Sequence, residues 1–328
     1  MATADARNIF TLVRKGFDAR AVHQHVRKPF RFLLCGDPAL VAELRSLLLA
    51  GNDASTLPQA AACLETIHPG APLVTNPNEV RAIVFLGHPG DAAAADFDSL
   101  RVVRVPLLAL TIDPAAAPGG PASLPPAGEW SEYVAPAIAR ESLRGRFFAH
   151  LIESASGVEI AVGRNLPVLR ETVAAKLTRD AANNALKVAL ASAVVDHIPL
   201  VGIVLGAFAS AGDMVAITGI QVMLMLHIEA TYGRDPDMQR AWQLLPVIGG
   251  GFGWRTLARE LVGFVPVAGI AIKGAIAYAG TIVVGEGVTF FHEHGAHMTK
   301  GQASALYDRA KEDALRFARD LAAKLFRR

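Results

Sequence analysis

Between Lys28 and Lys176 the chain contains no lysine. A phosphate-binding P-loop needs one, because an ammonium must meet the β- and γ-phosphates while glycine N–H groups surround them and a Ser or Thr hydroxyl holds magnesium. The segment in the right place is Gly36-Asp37-Pro38-Ala39-Leu40-Val41-Ala42-Glu43, after an apolar run and before a helix-like stretch. It has neither lysine nor hydroxyl, Pro38 lacks an N–H, and Asp37 and Glu43 would repel phosphate. No shift of register restores the motif. Gly36, Asp37 and Pro38 are therefore read as a degenerate nucleotide loop, and hydrolysis of ATP or GTP through it is not expected. The later stations fail as well. Gly87-His88-Pro89-Gly90 has glycine where a metal-linked aspartate would stand, and Thr111-Ile-Asp-Pro114 keeps at most one acid of a guanine-reading motif. A Gly-x-Gly-x-x-Gly dinucleotide fingerprint is missing too, so no cofactor is indicated.

Other scarcities narrow the field further. Two cysteines, Cys35 and Cys63, exclude a disulfide framework and a four-cysteine zinc site, and both read as small core residues. Charged residues make up 19% of the 328 and aromatics 7%. A nucleic-acid binder would show a basic face interleaved with aromatics, and none is visible. The first residues are interrupted by charge every few positions and lack the apolar run of a secretory signal.

Apolar residues, at 52%, are in excess. The charge that exists is unevenly spread: +4 over 1–28, −4 over 29–150, −1 over 151–300 and +3 over 301–328. The basic ends suit either an anionic membrane surface or the acidic domain between them. Ile9, Leu12, Val13 and Phe17 predict an amphipathic N-terminal helix within residues 1–28.

Residues 29–150 carry the pattern of a small α/β domain. Phe30–Cys35, Val80–Gly87 and Val103–Ile112 are short apolar runs, each ending in Gly, Pro or Asp and separated by helical stretches, as in a parallel sheet covered on both faces. Asp113–Gly128 is a Pro/Gly/Ala loop. Ala137–Ser154 reads as a connecting helix, and a long helix follows Pro167.

Residues 151–300 are different. Between Lys187 and Glu229 only Asp196 and Asp213 are charged, and within Leu261–Gly285 only Lys273 is. Three segments share the pattern proline, two apolar residues, glycine: Pro199–Gly202, Pro246–Gly249 and Pro266–Gly269. They read as apolar tips of helical hairpins, which must be buried in a bundle, pressed against another copy or dipped into lipid, since loops normally face water. Small residues at Gly202, Gly206, Gly269, Gly274, Ala277 and Gly280 allow close helix packing. A charge at the centre of a bilayer costs roughly 2.5–3.5 kcal/mol, so Asp213 and Lys273 are candidates for a compensating buried pair. The apolar pieces flanking Asp213 fall short of the ~20 residues that span a bilayer, which favours re-entrant or peripheral association. His292, His294 and His297 form the one metal-like cluster, but their spacing is not that of a catalytic zinc helix, and they read as a polar linker. Gly301–Arg328 predicts an amphipathic helix with Leu306, Ala310, Ala314, Phe317, Leu321 and Leu325 on one stripe.

Over about Asn165–Glu293 the chain resembles the YcjF-like family of uncharacterised helical domains. The likeness rests on Asp213, Thr218, Gln221 and Met223, then Tyr232-Gly233, Gly250–Arg255 and Lys273-Gly274-Ala275. That resemblance implies a preceding G-domain-like fold and a membrane setting. GTPase activity does not carry over, because every nucleotide motif is missing. The fold expected is α/β plus all-α: a degenerate P-loop or Rossmann-like parallel sheet followed by a glycine-rich helical hairpin bundle. The function expected is non-catalytic, at the cytoplasmic face of a membrane, with the α/β domain binding a protein partner and the helical domain associating with lipid or with a second copy of itself. A soluble helical oligomeric scaffold, or a nucleotide sensor using Gly36–Leu40, are the alternatives.

Overall fold

The apolar run after Pro29 forms strand β1 (Arg31–Gly36), whose Phe32, Leu33 and Leu34 are fully buried. It lies inside a five-stranded sheet with β2 (Leu64–Thr66), β3 (Val80–Gly87), β4 (Leu107–Ile112) and β5 (Trp130–Ala135). The order is β2-β1-β3-β4-β5 and every pairing is parallel. This computed structural model describes residues 19–68, 76–95, 97–101, 103–195, 202–237 and 266–326. The expected tips at Pro199, Pro246 and Gly249 and the amphipathic stripe at residues 9–17 lie outside the described residues.

Alternate residues of a strand face opposite sides of the sheet. On one side Leu33, Cys35, Ile83, Phe85, Leu107 and Ala109 form a core with Ala92, Phe97 and Leu100. On the other side Leu34, Val84, Leu86, Leu108 and Leu110 are equally buried. Double coverage explains why the central strands read as unbroken apolar runs. The strand order is the flavodoxin-like 2-1-3-4-5 arrangement, not the Rossmann order in which β1 adjoins β4.

The helices, in chain order, are α1 (Ala19–Val26), α2 (Pro38–Leu49), α3 (Leu57–Ala62), α4 (Asp91–Ala94), α5 (Asp98–Arg101), α6 (Arg140–Leu143), α7 (Arg146–Ser154), α8 (Glu159–Asn165), α9 (Arg170–Val195), α10 (Gly202–Thr231), α11 (Pro266–His294) and α12 (Lys300–Phe326). The expected single helix over Ala137–Ser154 is two, broken at Arg144–Gly145. The Asp113–Gly128 loop is not wholly irregular either, because Gly119 bridges antiparallel to Val134 and covers the outer edge of β5.

The chain divides into two compact units. One comprises Gln24–Lys176 with Thr231–Gly233; the other comprises Met1–His23, Leu177–Ala230 and Arg234–Arg328. The α/β unit thus runs past residue 150 and takes in the first turns of α9. Those turns are held by Glu171, which accepts from Arg144 and, at 3.0 Å, from Arg140, and by a 3.0 Å Lys176–Glu159 ion pair. Arg170 donates to the Gly163 carbonyl at 3.2 Å and lies 5.8 Å from the Tyr232 ring centroid.

Candidate functional site

In an open doubly wound sheet, ligands bind outside the carboxyl ends of the strands where the order reverses, which here is between β1 and β3. Gly36, Asp37 and Pro38 stand at that point. Gly36 has φ +108°, and a β-carbon there would collide with the Leu86 carbonyl oxygen, so only glycine lets β1 and β3 approach this closely.

Beyond Gly36 every backbone donor is already used. Asp37 N–H donates to Leu86 O at 2.9 Å, and Pro38 has no N–H. Ala39 and Leu40 N–H groups donate to Asp37 Oδ1 at 2.8 and 3.0 Å, and Val41 N–H begins the helix on Asp37 O at 2.9 Å. A phosphate-binding helix start depends on free N–H groups. Here the carboxylate of Asp37 fills that role itself.

The neighbouring strand ends close in the same way. After β3, His88 N–H donates to Asp91 Oδ2 at 2.7 Å, and a β-carbon on Gly87 would lie 2.8 Å from Asp91 Cβ. After β4, Ala115 N–H donates to Asp113 Oδ1 at 2.9 Å, while Asp113 N–H donates to Ala135 O at 2.9 Å. Three consecutive loops along this edge each turn an aspartate onto their own backbone. The arrangement repels an anion and presents it no spare donor from residues 37 to 41. From the sequence, the charge of Asp37 and the missing N–H of Pro38 foretold part of this; the capping by Asp37, Asp91 and Asp113 was not visible there.

A second polar group is buried beneath β5. Tyr133 is fully buried and its hydroxyl lies 2.7 Å from His150 Nδ1. Burial, the larger effect, together with nearby Arg146 holds the His150 pKa below its ordinary value against the opposing pull of Glu153. Glu153 Oε2 is 3.9 Å from Nε2, which favours the ring proton there and leaves Nδ1 to accept from Tyr133. Burial also raises the thiol pKa of Cys35 to about 12 and of Cys63 to about 11. Cys35 is a core residue as expected, whereas Cys63 is only partly buried.

The three histidines do not converge. His294 stacks on Phe290 at 4.1 Å with Nδ1 3.1 Å from the Phe290 carbonyl, His297 stacks on Phe291 at 4.9 Å, and His292 meets Phe291 edge-on. Among the described residues no three His, Cys, Asp or Glu side chains are grouped to hold a metal ion.

In the helical unit, close approaches define how the helices run. Gly285 of α11 faces Thr178 of α9, and Gly274 faces Leu186 and Leu190, so the two helices are antiparallel. Gln221 Nε2 of α10 donates to Thr281 Oγ1 of α11 at 3.3 Å, and Ile217 and Ile220 pack beside Ala277, so α10 runs parallel to α11. Along α12, Ala303, Tyr307 and Ala310 pack on Ala279 and Val283. Among the described side chains its buried stripe is Ala303, Tyr307, Ala310 and Ala314, with Leu306 only partly covered; Phe317, Leu321 and Leu325 of the expected stripe lie outside what is described.

This register has a consequence for charge. Asp213 and Lys273 each precede the Gln221–Thr281 hydrogen bond by eight residues, which puts both backbones at one level along the bundle. Lys187, beside Leu186, falls at that level too. The side chains of Asp213 and Lys273 lie outside what is described. Beyond the level, Val188–Val195, Gly202–Gly212 and Pro266–Ile272 contain no charged residue, and all three stretches belong to the same end of the bundle. Gly202, Pro266 and Gly269, expected in hairpin tips, form first turns of α10 and α11, where a proline costs little.

Below the level the bundle is wet outside. Arg179, Asp180, Asn183, Asn184 and Lys187 are exposed on α9, and Asp308, Arg309, Glu312, Asp313 and Arg316 on α12. Gly274–His294, 21 residues with mean hydropathy 1.4, is long and apolar enough to cross a membrane. It is packed against α9, α10 and α12, which is the position of a bundle's core helix. Comparison of the chain with family models, with curated proteins and with solved structures finds no match.

Proposed function

We propose that the protein is a non-catalytic, membrane-associated protein of the cytoplasmic face. Its helical unit enters one leaflet by the end where the uncharged stretches Val188–Val195, Gly202–Gly212 and Pro266–Ile272 meet, and its α/β unit serves as a protein-docking module. The observation that carries this reading is the convergence of three uncharged helix ends beyond the level of Lys187, Asp213 and Lys273. The longest, Gly202–Gly212, spans about 16 Å at 1.5 Å per residue, about half of a ~30 Å hydrocarbon core. That length supports re-entrant or peripheral insertion. The wet faces of α9 and α12 argue against placing Gly274–His294 across the bilayer, since charged side chains facing hydrocarbon are costly. The basic ends and the resemblance to the YcjF-like family support the same setting. The self-capped loop at Asp37 weighs against the nucleotide-sensor alternative.

Carbonate and detergent extraction from cells that express the chain tests the reading. Release by alkaline carbonate or by mild detergent, after pelleting with membranes, is expected. Recovery in the soluble fraction as a defined oligomer would replace it with the scaffold reading, in which the uncharged ends bury against a second copy.

A further inference from the structure

A cavity of about 150 Å³ lies between the carboxyl-terminal parts of β4 and β5, the strap at Pro118–Gly119 and the break between α6 and α7. It plays no part in the reading above. Its walls are apolar, made by Leu110, Val134, Leu143 and Phe147. Its polar groups are Ser142 and Arg146, and Arg146 is exposed, so the charge stands at the mouth and the apolar residues form the interior.

The cavity is built by specific contacts. Gly119 exchanges two backbone hydrogen bonds with Val134, at 2.8 and 3.0 Å, which fixes the strap to the edge of the sheet. Arg146 Nη1 donates to the Pro121 carbonyl at 2.6 Å, which holds the guanidinium at the rim. A guanidinium has five N–H donors, and one is used here. Arg140 and Arg144, by contrast, are drawn to Glu171. The volume equals that of an engineered apolar cavity that admits benzene, so about six non-hydrogen atoms fit.

From this we infer that the cavity binds a small monocarboxylate with a short hydrocarbon tail. The carboxylate meets Arg146 and Ser142 at the mouth, and the tail lies among Leu110, Val134, Leu143 and Phe147. Inorganic phosphate fits poorly, because its oxygens would be pressed against four apolar side chains without donors. Acetate would leave the interior empty.

The test is titration of the full chain by calorimetry or ligand-observed NMR with acetate, isobutyrate, isobutyramide and inorganic phosphate. Isobutyrate is expected to bind saturably and more tightly than acetate, with the neutral amide and phosphate far weaker. Arg146→Gln should weaken isobutyrate roughly tenfold or more, the loss expected of a charged hydrogen bond. Ser142→Leu, which fills the cavity while keeping the charge, should abolish binding, and circular dichroism reports whether each variant folds. Absence of saturable isobutyrate binding to the wild-type chain overturns the inference. So does equal binding of the amide, preference for phosphate, or unchanged affinity in a folded Arg146→Gln or Ser142→Leu variant.

Discussion

Gly285 of α11 lies directly against Thr178 of α9, so closely that a β-carbon at residue 285 would overlap the threonine side chain. Gly280 of the same helix is not so confined, for a β-carbon there would find only Gln221 Nε2, at 3.8 Å. The two glycines therefore make opposite predictions. Gly285→Ala should destabilise the chain by about 1–3 kcal/mol through overpacking. Gly280→Ala should be neutral or stabilising by up to ~1 kcal/mol, since alanine favours the helix. Urea denaturation followed by circular dichroism separates them, and equal losses would contradict the packing described.

At the end of β1 the prediction concerns a cap. Asp37→Ala removes the acceptor for Ala39 and Leu40 N–H and should cost about 0.5–2 kcal/mol. The wild-type chain should show no thermal shift with ATP, GTP or their diphosphates, with or without magnesium. A reproducible stabilisation by any of them would revive the nucleotide-sensor alternative.

How much of this was legible in the sequence depended on burial. Phe30–Cys35, Val80–Gly87 and Val103–Ile112 announced β1, β3 and β4 because those strands are covered on both faces. The edge strands were not foreseen. In β5 the residues Trp130, Ser131 and Glu132 are only partly covered or exposed, and β2 is three residues long. Gly36–Pro38 forms the turn between an apolar strand and a helix that the sequence led one to expect, but its self-capping was invisible, since spacing cannot show which N–H groups a carboxylate will take. The cavity beside Arg146 escaped for a similar reason. Its lining comes from Leu110, Pro118, Val134 and Ser142, which only the fold brings together. Asp213 and Lys273 were paired on charge alone, and the helix register puts their backbones at one level.

Burial of His150 gives a pH signature. Its folded pKa lies below the unfolded value near 6.5, so the unfolded chain takes up the proton first. Its contribution is complete above about pH 6.5 and declines as pH falls through and below that value. His150→Gln should be less stable than wild type at pH 8, and the gap should narrow towards pH 5. A gap that widens on acidification would contradict a neutral, buried imidazole.

The thiols make a prediction of reactivity. With pKa values raised to about 12 and 11, Cys35 and Cys63 are almost wholly protonated at pH 8, and the thiolate is the reactive form. The native chain should react slowly with a disulfide reagent, Cys63 ahead of the more deeply buried Cys35. Both should react at once in denaturant. Rapid native labelling of Cys35 would contradict the closed core around β1.

Entry of the helical unit into a membrane by the end where Val188–Val195, Gly202–Gly212 and Pro266–Ile272 meet is read by flotation of the purified full chain with anionic liposomes. The chain is expected to float with the vesicles, and Leu205→Glu and Val267→Glu together should leave it at the bottom of the gradient while its circular dichroism is unchanged. A wild-type chain that stays at the bottom, or a doubly substituted chain that still floats, would contradict it.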